Sequence, residues 1–235
     1  MRLVEVNRLR LFVAAIAVAL LGLFAAVPGF GQTSNPPGTG ETFKDTSMLK
    51  PPPGVKVAVL EWQDLTCPAC AHAFPIVHAA VAHYNIPLIE RDFLLQGEHT
   101  MLGDREAAIW ARYLQDKMSM KVADEYRGAV FAGQGTIANK DDMLNFTRRF
   151  LQTHGLQMPF VPDPTGQFAK EVDADKALGE KLGVYYTPSI IVCTQREWVH
   201  VTDVSLLYQT IDALIARAGS DAPVKKTAPA KTATH

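Results

Sequence analysis

Hydrophobic and polar positions divide this chain into blocks of different period. VKVAVLEWQ (55–63) is a short valine-rich apolar run bounded by Gly54, the pattern of a buried strand rather than a helix. From Pro68 to Tyr84 the apolar residues Phe74, Val77 and Val81 recur at helical spacing, and Pro75 inside this helix removes a backbone donor and predicts a kink. IPLIERDFLL (86–95) reads as a second strand. Between about residues 103 and 183 the period turns helical. Ile109, Trp110, Tyr113 and Leu114 mark one segment; Val122, Tyr126 and Val130 follow the N-cap candidate Ser119; Met143, Leu144, Phe146 and Phe150 follow Asn139 and stop at Gly155. A proline-rich loop, MPFVPDPTG (158–166), precedes a last helical piece ending near Leu182. After Pro188, SIIVCT and EWVHVTD form two strands around a tight turn near Gln195, and DVSLLYQTIDALIARAG closes as a helix with Leu206, Leu207, Ile211, Leu214 and Ile215 on one side. The order is strand, helix, strand, helical block, strand, strand, helix, which is an α/β arrangement.

The two ends have a different character. Leu11 to Val27 is an uncharged apolar run behind three arginines and one glutamate, which reads as an export signal, residues 1–31, either cleaved after Gly31 or kept as an N-terminal membrane anchor. Residues 32–54, rich in Pro, Gly, Ser and Thr, read as a flexible linker, and residues 219–235, rich in Ala, Pro, Lys and Thr, as a disordered tail. The folded domain then spans 55–218. A formal charge of −1 with no basic stripe argues against a nucleic-acid binder, which depends on neutralising phosphates.

An exported chain lives where disulfides persist, yet this one has three cysteines, too few for a disulfide framework. Two of them form CPAC, directly after the first strand and at the start of the first helix. On a regular helix, positions i and i+3 are about 5 to 6 Å apart at Cβ, too far for a disulfide, which needs about 3.5 to 4.5 Å. With Cys67 just outside the first turn the bond becomes possible, and Pro68 as the first helical residue favours that placement. The same location sets the Cys67 sulfur at the positive end of the helix dipole, where thiolate is favoured. Three other readings of the pair compete. As a structural staple, a loop of four residues stabilises by only about 2 kcal/mol before strain. A zinc site lacks a second cysteine pair, with His72 too close in sequence to complete it. Haem attachment requires histidine after the second cysteine, where Ala71 stands. The spacing therefore favours redox exchange, with no metal and no cofactor. Cys193, amid Ile190, Ile191 and Val192, reads as a buried small hydrophobe, and His72, His78 and His83 as solvated surface.

The run VAVLEWQ, CPAC at a helix start, a helical insertion, and YYTPSIIV before a terminal hairpin and helix resemble the DsbA-like branch of the thioredoxin-fold disulfide oxidoreductases. The resemblance implies a thioredoxin fold with a helical insertion between the second and third core strands. It implies roles as well: Cys67 as the exposed attacking cysteine, Cys70 as the buried resolving one, and Glu61 as a buried carboxylate that passes a proton to and from Cys70. Thr187 and cis-Pro188 would face the disulfide and pair with a client chain. Trp62 is expected as core or as a wall of the substrate-binding cleft, and Pro68 and Ala69 as the active-site dipeptide. Strong oxidants of this family usually carry histidine where Ala69 stands, and Thr187 is also found in isomerase-like relatives. The expected function is an exported, periplasmic, monomeric oxidoreductase that introduces disulfides into unfolded or partly folded exported proteins and is served by a membrane redox partner. Isomerisation or reduction of a specific client, and a non-catalytic peptide-binding or chaperone-like module, are the alternatives.

Overall fold

The computed structural model describes residues 43–95 and 103–220. The expected signal or anchor segment lies outside them, as do residues 32–42 and all but the first two residues of the expected tail. Those two, Gly219 and Ser220, end the last helix.

Four strands form one sheet. In chain order they are β1 (Val57–Gln63), β2 (Leu88–Asp92), β3 (Ser189–Thr194) and β4 (Trp198–Val201), and their spatial order is β2-β1-β3-β4. β1 and β2 run parallel, while β1–β3 and β3–β4 are antiparallel. The parallel pair needs a crossover, supplied by α1 (Pro68–Tyr84). This helix passes through Pro75 without ending and stops at Asn85, whose left-handed φ of 51° suits a C-terminal cap. The last helix, α6 (Leu207–Ser220), follows a short 3₁₀ turn, Val204–Leu206, started by Asp203.

Every residue of β1 is buried, because both faces of the sheet are covered. Val57 and Val59 pack with Ala73, Val77, Ile211 and Leu214 beneath α1 and α6. Ala58, Leu60 and Trp62 point the other way, into a cluster with Phe93, Leu182, Ile191 and Cys193. Full burial of one such aliphatic side chain stabilises by about 1.5 to 3 kcal/mol. Leu49, 2% exposed, also belongs to this second cluster, and Lys44 N donates to Leu182 O at 2.7 Å. Residues 43–54 are thus folded onto the sheet rather than forming the free linker that their proline and glycine content suggests.

Between β2 and β3 lie α2 (Asp104–Lys117), α3 (Met120–Gly133), α4 (Lys140–Thr153) and α5 (Gln167–Leu182). Ser119 Oγ accepts from Val122 N at 3.2 Å and Asn139 Oδ1 from Asp142 N at 3.0 Å, so both caps expected from the sequence are made. Trp110, Leu114, Tyr126, Val130, Met143 and Leu151 give the insertion its own core, and Leu65, Cys67 and Cys70 are part of it. α5 lies close against the sheet. A Cβ on Gly179 would come within 2.7 Å of the Phe93 ring and 2.8 Å of Trp62 Nε1. Charges pin the same region: Arg112 reaches Asp92 at 2.6 Å and also Asp175, which accepts from Arg91 at 2.7 Å.

Candidate active site

The turn from β1 into α1 is built by Asp64. Its Oδ1 accepts from both the backbone N–H and the hydroxyl of Thr66 at 2.8 Å, and its Oδ2 accepts from Leu95 N at 3.0 Å. An aspartate that captures the amide two residues on makes a turn without a glycine. Cys67 N then donates to Asp64 O at 3.0 Å, which leaves Cys67 as the N-cap of α1 in extended conformation (φ −79°, ψ 121°), with Pro68 as the first helical residue. From the insertion, Gln134 Nε2 donates to Leu65 O at 3.0 Å and Cys67 O at 3.1 Å, clamping the turn from outside. Beside this clamp lies a cavity of about 290 Å³ lined by Leu65, Pro68, Ile137 and Met143 among others.

Cys67 and Cys70 carry free thiols, and their environments separate them. The Cys67 thiol ionises at about 5, far below a free thiol. The largest cause is a hydrogen bond from Cys70; burial opposes it, and the backbone N–H groups of Cys70 and Ala69 reinforce it. No acidic residue occupies the first turn of α1 to oppose the negative charge. Cys70 is pushed strongly upward, first by burial and then by the neighbouring Cys67. A nucleophilic thiolate thus sits beside a thiol that keeps its proton.

Cys67 is only 6% exposed, against the expectation of an exposed sulfur. The loop before β3 covers it: Cys67 Sγ donates to Thr187 O at 3.5 Å, and the Thr187–Pro188 peptide is cis. Solvent reaches Pro68 and Ala69 instead. The Thr187 hydroxyl is buried with no hydrogen-bond partner.

Glu61 lies on the face of β1 that α1 covers and is fully buried; neither carboxyl oxygen accepts a hydrogen bond. Burial pushes its carboxyl up to about 8, with Glu90 adding repulsion and Arg127 opposing the rise. Trp62, one residue on, takes the core place of the two expected for it, and its assignment to the substrate-binding cleft is corrected. Alternation sends it to the opposite face, where it is 0% exposed and its Nε1 donates to Asp175 O at 3.2 Å, so it forms no wall of the cleft. His78 is also corrected: it is half-buried, with Nε2 at 3.5 Å from Glu90 Oε1, not a solvated surface residue. His72 and His83 are exposed, and Cys193 is fully buried in β3 with its thiol pushed up to about 12 by burial.

Four residues of the site went unread in the sequence. Asp64 had a signal, an Asp-Leu-Thr turn between strand and helix. Gln134 stands between Gly133 and Gly135, which marks a turn but not its target. Glu90 and Arg127 had none, since their meeting depends on strand register and on how the insertion docks. Among the described residues, no group of three His, Cys, Asp or Glu side chains is placed to hold a metal ion, and no helix is long and apolar enough to cross a membrane.

No protein-family model matches the chain, and no curated protein does. Solved structures do. The thiol-disulfide exchange protein alpha-DsbA2 from Wolbachia pipientis is similar over 70% of this chain and 85% of its own, at 16% identity and a TM-score of 0.55. A thioredoxin-like oxidoreductase from Silicibacter pomeroyi is 24% identical over 72% of this chain and 90% of its own, with a TM-score of 0.52. DsbA2 from Pseudomonas aeruginosa is 15% identical over 70% and 92%, also with a TM-score of 0.52. The chain therefore has the DsbA-like fold: a four-stranded thioredoxin sheet that carries a helical insertion between its second and third strands.

Proposed function

We propose that this protein is an exported thiol-disulfide oxidoreductase that introduces disulfides into other exported proteins through Cys67 and Cys70. The observation that carries the reading is the unequal pair: a thiol ionised at about 5 at a helix start, packed against one that holds its proton. Fold alone would not carry it, because one fold hosts many functions.

The exchange begins from the Cys67–Cys70 disulfide. A client thiolate attacks Cys67 Sγ, the bond to Cys70 breaks, and Cys70 leaves as a thiolate that takes a proton from Glu61. A second client thiolate then attacks the client sulfur of the mixed disulfide and expels Cys67 as a thiolate. Two electrons pass from the client dithiol to the protein, and the client gains one disulfide. Stabilising the Cys67 thiolate favours the reduced protein, which makes the oxidised form an oxidant. The loop at Thr187 and Pro188, lying over Cys67, offers backbone for an extended client segment to pair with. Export and a periplasmic location belong to the same reading, supported by the apolar N-terminal run, and the protein is taken to act as a monomer. Return to the disulfide requires a partner that accepts two electrons, here a membrane redox protein.

Titrating the pair against glutathione tests the reading. A potential between about −250 and −120 mV supports a catalyst, whereas one below about −300 mV indicates a locked structural bond and refutes it. Cys70→Ser should accumulate mixed disulfides on Cys67 in extracts of exported protein; their absence would remove the covalent intermediate.

A further inference from the structure

Beneath Cys70 the structure gathers more charge than the exchange step uses. Glu61 on β1 pairs in parallel register with Glu90 on β2, and neighbouring strands lie about 4.8 Å apart, so the two carboxyls share one face of the sheet under α1. Glu61 is fully buried and the Glu90 side chain is 8% exposed. Two carboxylates this close in a buried site resist ionising together, so one of them keeps its proton to higher pH.

The donors decide which of them does. They gather at Glu90: Gln63 Nε2 donates to its Oε1 at 2.8 Å, while His78 Nε2 at 3.5 Å from Oε1 and Arg127 Nη1 at 3.8 Å from Oε2 make no hydrogen bond and act through charge and proximity. Glu61 has none. Arg127 comes from α3 of the insertion and is itself 1% exposed, a guanidinium that needs a nearby anion. The other titratable groups facing the pair are Cys70 and His78 from α1 and Asp124 from α3.

We infer that Glu61 and Glu90 act as one carboxyl pair holding a single proton. Arg127 is its fixed counter-charge, and Glu90 and Arg127 are positioning residues for the proton that Glu61 exchanges with Cys70. The charge stays on Glu90 and the proton on Glu61. When Cys70 leaves as a thiolate, the O–H bond of Glu61 breaks and an S–H bond forms on Cys70; the vacated carboxylate is then charged beside Glu90 only transiently, held by Arg127, until it takes a proton back from solvent and the pair again holds one. Electrostatics agrees with the geometry. Burial works against charge on Glu90, but Arg127 first and His78 next outweigh it and hold this carboxyl below its usual range, while Asp124 is held above it by burial and by Glu90.

This inference rests on the proposed exchange chemistry, and its test separates the two. In full-length reduced protein labelled with ¹³C at glutamate carboxyls, the Glu61 resonance should titrate near 8. The Glu90 resonance should show an inflection at the same pH as its neighbour ionises. Glu90→Gln removes the repulsion and frees Arg127 for Glu61, so the Glu61 midpoint should fall by more than about one unit. Arg127→Lys keeps the charge and should keep the coupling. A Glu90 resonance that ignores Glu61 overturns the pair in the unaltered protein, whether or not the variant folds. So does an unmoved Glu61 midpoint in Glu90→Gln. Coupled resonances together with disulfide exchange unchanged in Glu61→Gln would uphold the pair and refute its part in exchange.

Discussion

Replacing Cys70 with alanine removes the largest single cause of the low Cys67 ionisation. A hydrogen bond to a charged group stabilises by about 1.5 to 3 kcal/mol, and one pKa unit corresponds to about 1.4 kcal/mol. The Cys67 midpoint should therefore rise from about 5 to between about 6 and 7. The assay is the rate of alkylation as a function of pH, and the choice of pH matters. At pH 7 Cys67 is about 99% thiolate and a free thiol about 3%, but nucleophilicity falls with pKa along a Brønsted slope near 0.45, about 40-fold over this range. The two effects nearly cancel, so a single measurement at pH 7 would miss a strongly perturbed sulfur. At pH 5 they do not cancel: Cys67 should react about 40-fold faster than an accessible free thiol, before any steric slowing by the Thr187 loop. Steric cover scales the whole curve without moving its midpoint. The unaltered protein should thus reach a plateau above about pH 6, and Cys70→Ala about one to two units later. A rate still climbing tenfold per unit between pH 6 and 8 in the unaltered protein would make Cys67 an ordinary thiol and refute the catalyst. A midpoint unchanged in Cys70→Ala would refute the assigned cause. The same shift sets the pH dependence of stability. The folded thiol ionises more readily than the unfolded one, so the reduced form gains stability that is complete above the unfolded pKa and lost as pH falls towards about 5.

Two further substitutions probe the frame around the cysteines. Asp64→Ala strips the acceptor from Thr66 N, Thr66 Oγ1 and Leu95 N and should lower stability by about 3 kcal/mol in chemical denaturation; a loss below about 1 kcal/mol would mean the turn holds itself without that carboxylate. Cys193→Ala removes one buried sulfur and should cost about 1 kcal/mol with exchange rates unchanged, whereas a large fall in exchange would assign this cysteine a redox role.

The elements near the cysteines were legible because their signals are local. Pro68 fixes the start of α1, Ser119 and Asn139 announce two helices of the insertion, and the valine-rich run before Glu61 marks β1. What failed has a physical reason in each case. In a strand apolar on both faces, such as Val57–Gln63, the composition does not say which face meets the cysteine helix, and so core and cleft wall both stood open for Trp62. Phe43, Met48 and Leu49 were hidden in a stretch whose prolines and glycines look like a linker, although three large apolar side chains suffice to fasten it to the sheet. Gln134 and Arg127 act at a distance of more than thirty residues, on targets that only the docking of the insertion defines.

That docking has a thermodynamic corollary. Gln134 grips the carbonyls that lead into the cysteine helix, and Arg127 is sunk among the carboxylates below it, so the insertion and the sulfur chemistry share interaction free energy. Such coupling is reciprocal: whatever preference the insertion imposes for one oxidation state is returned, in equal measure, as a change in its own hold on the sheet when that state is reached.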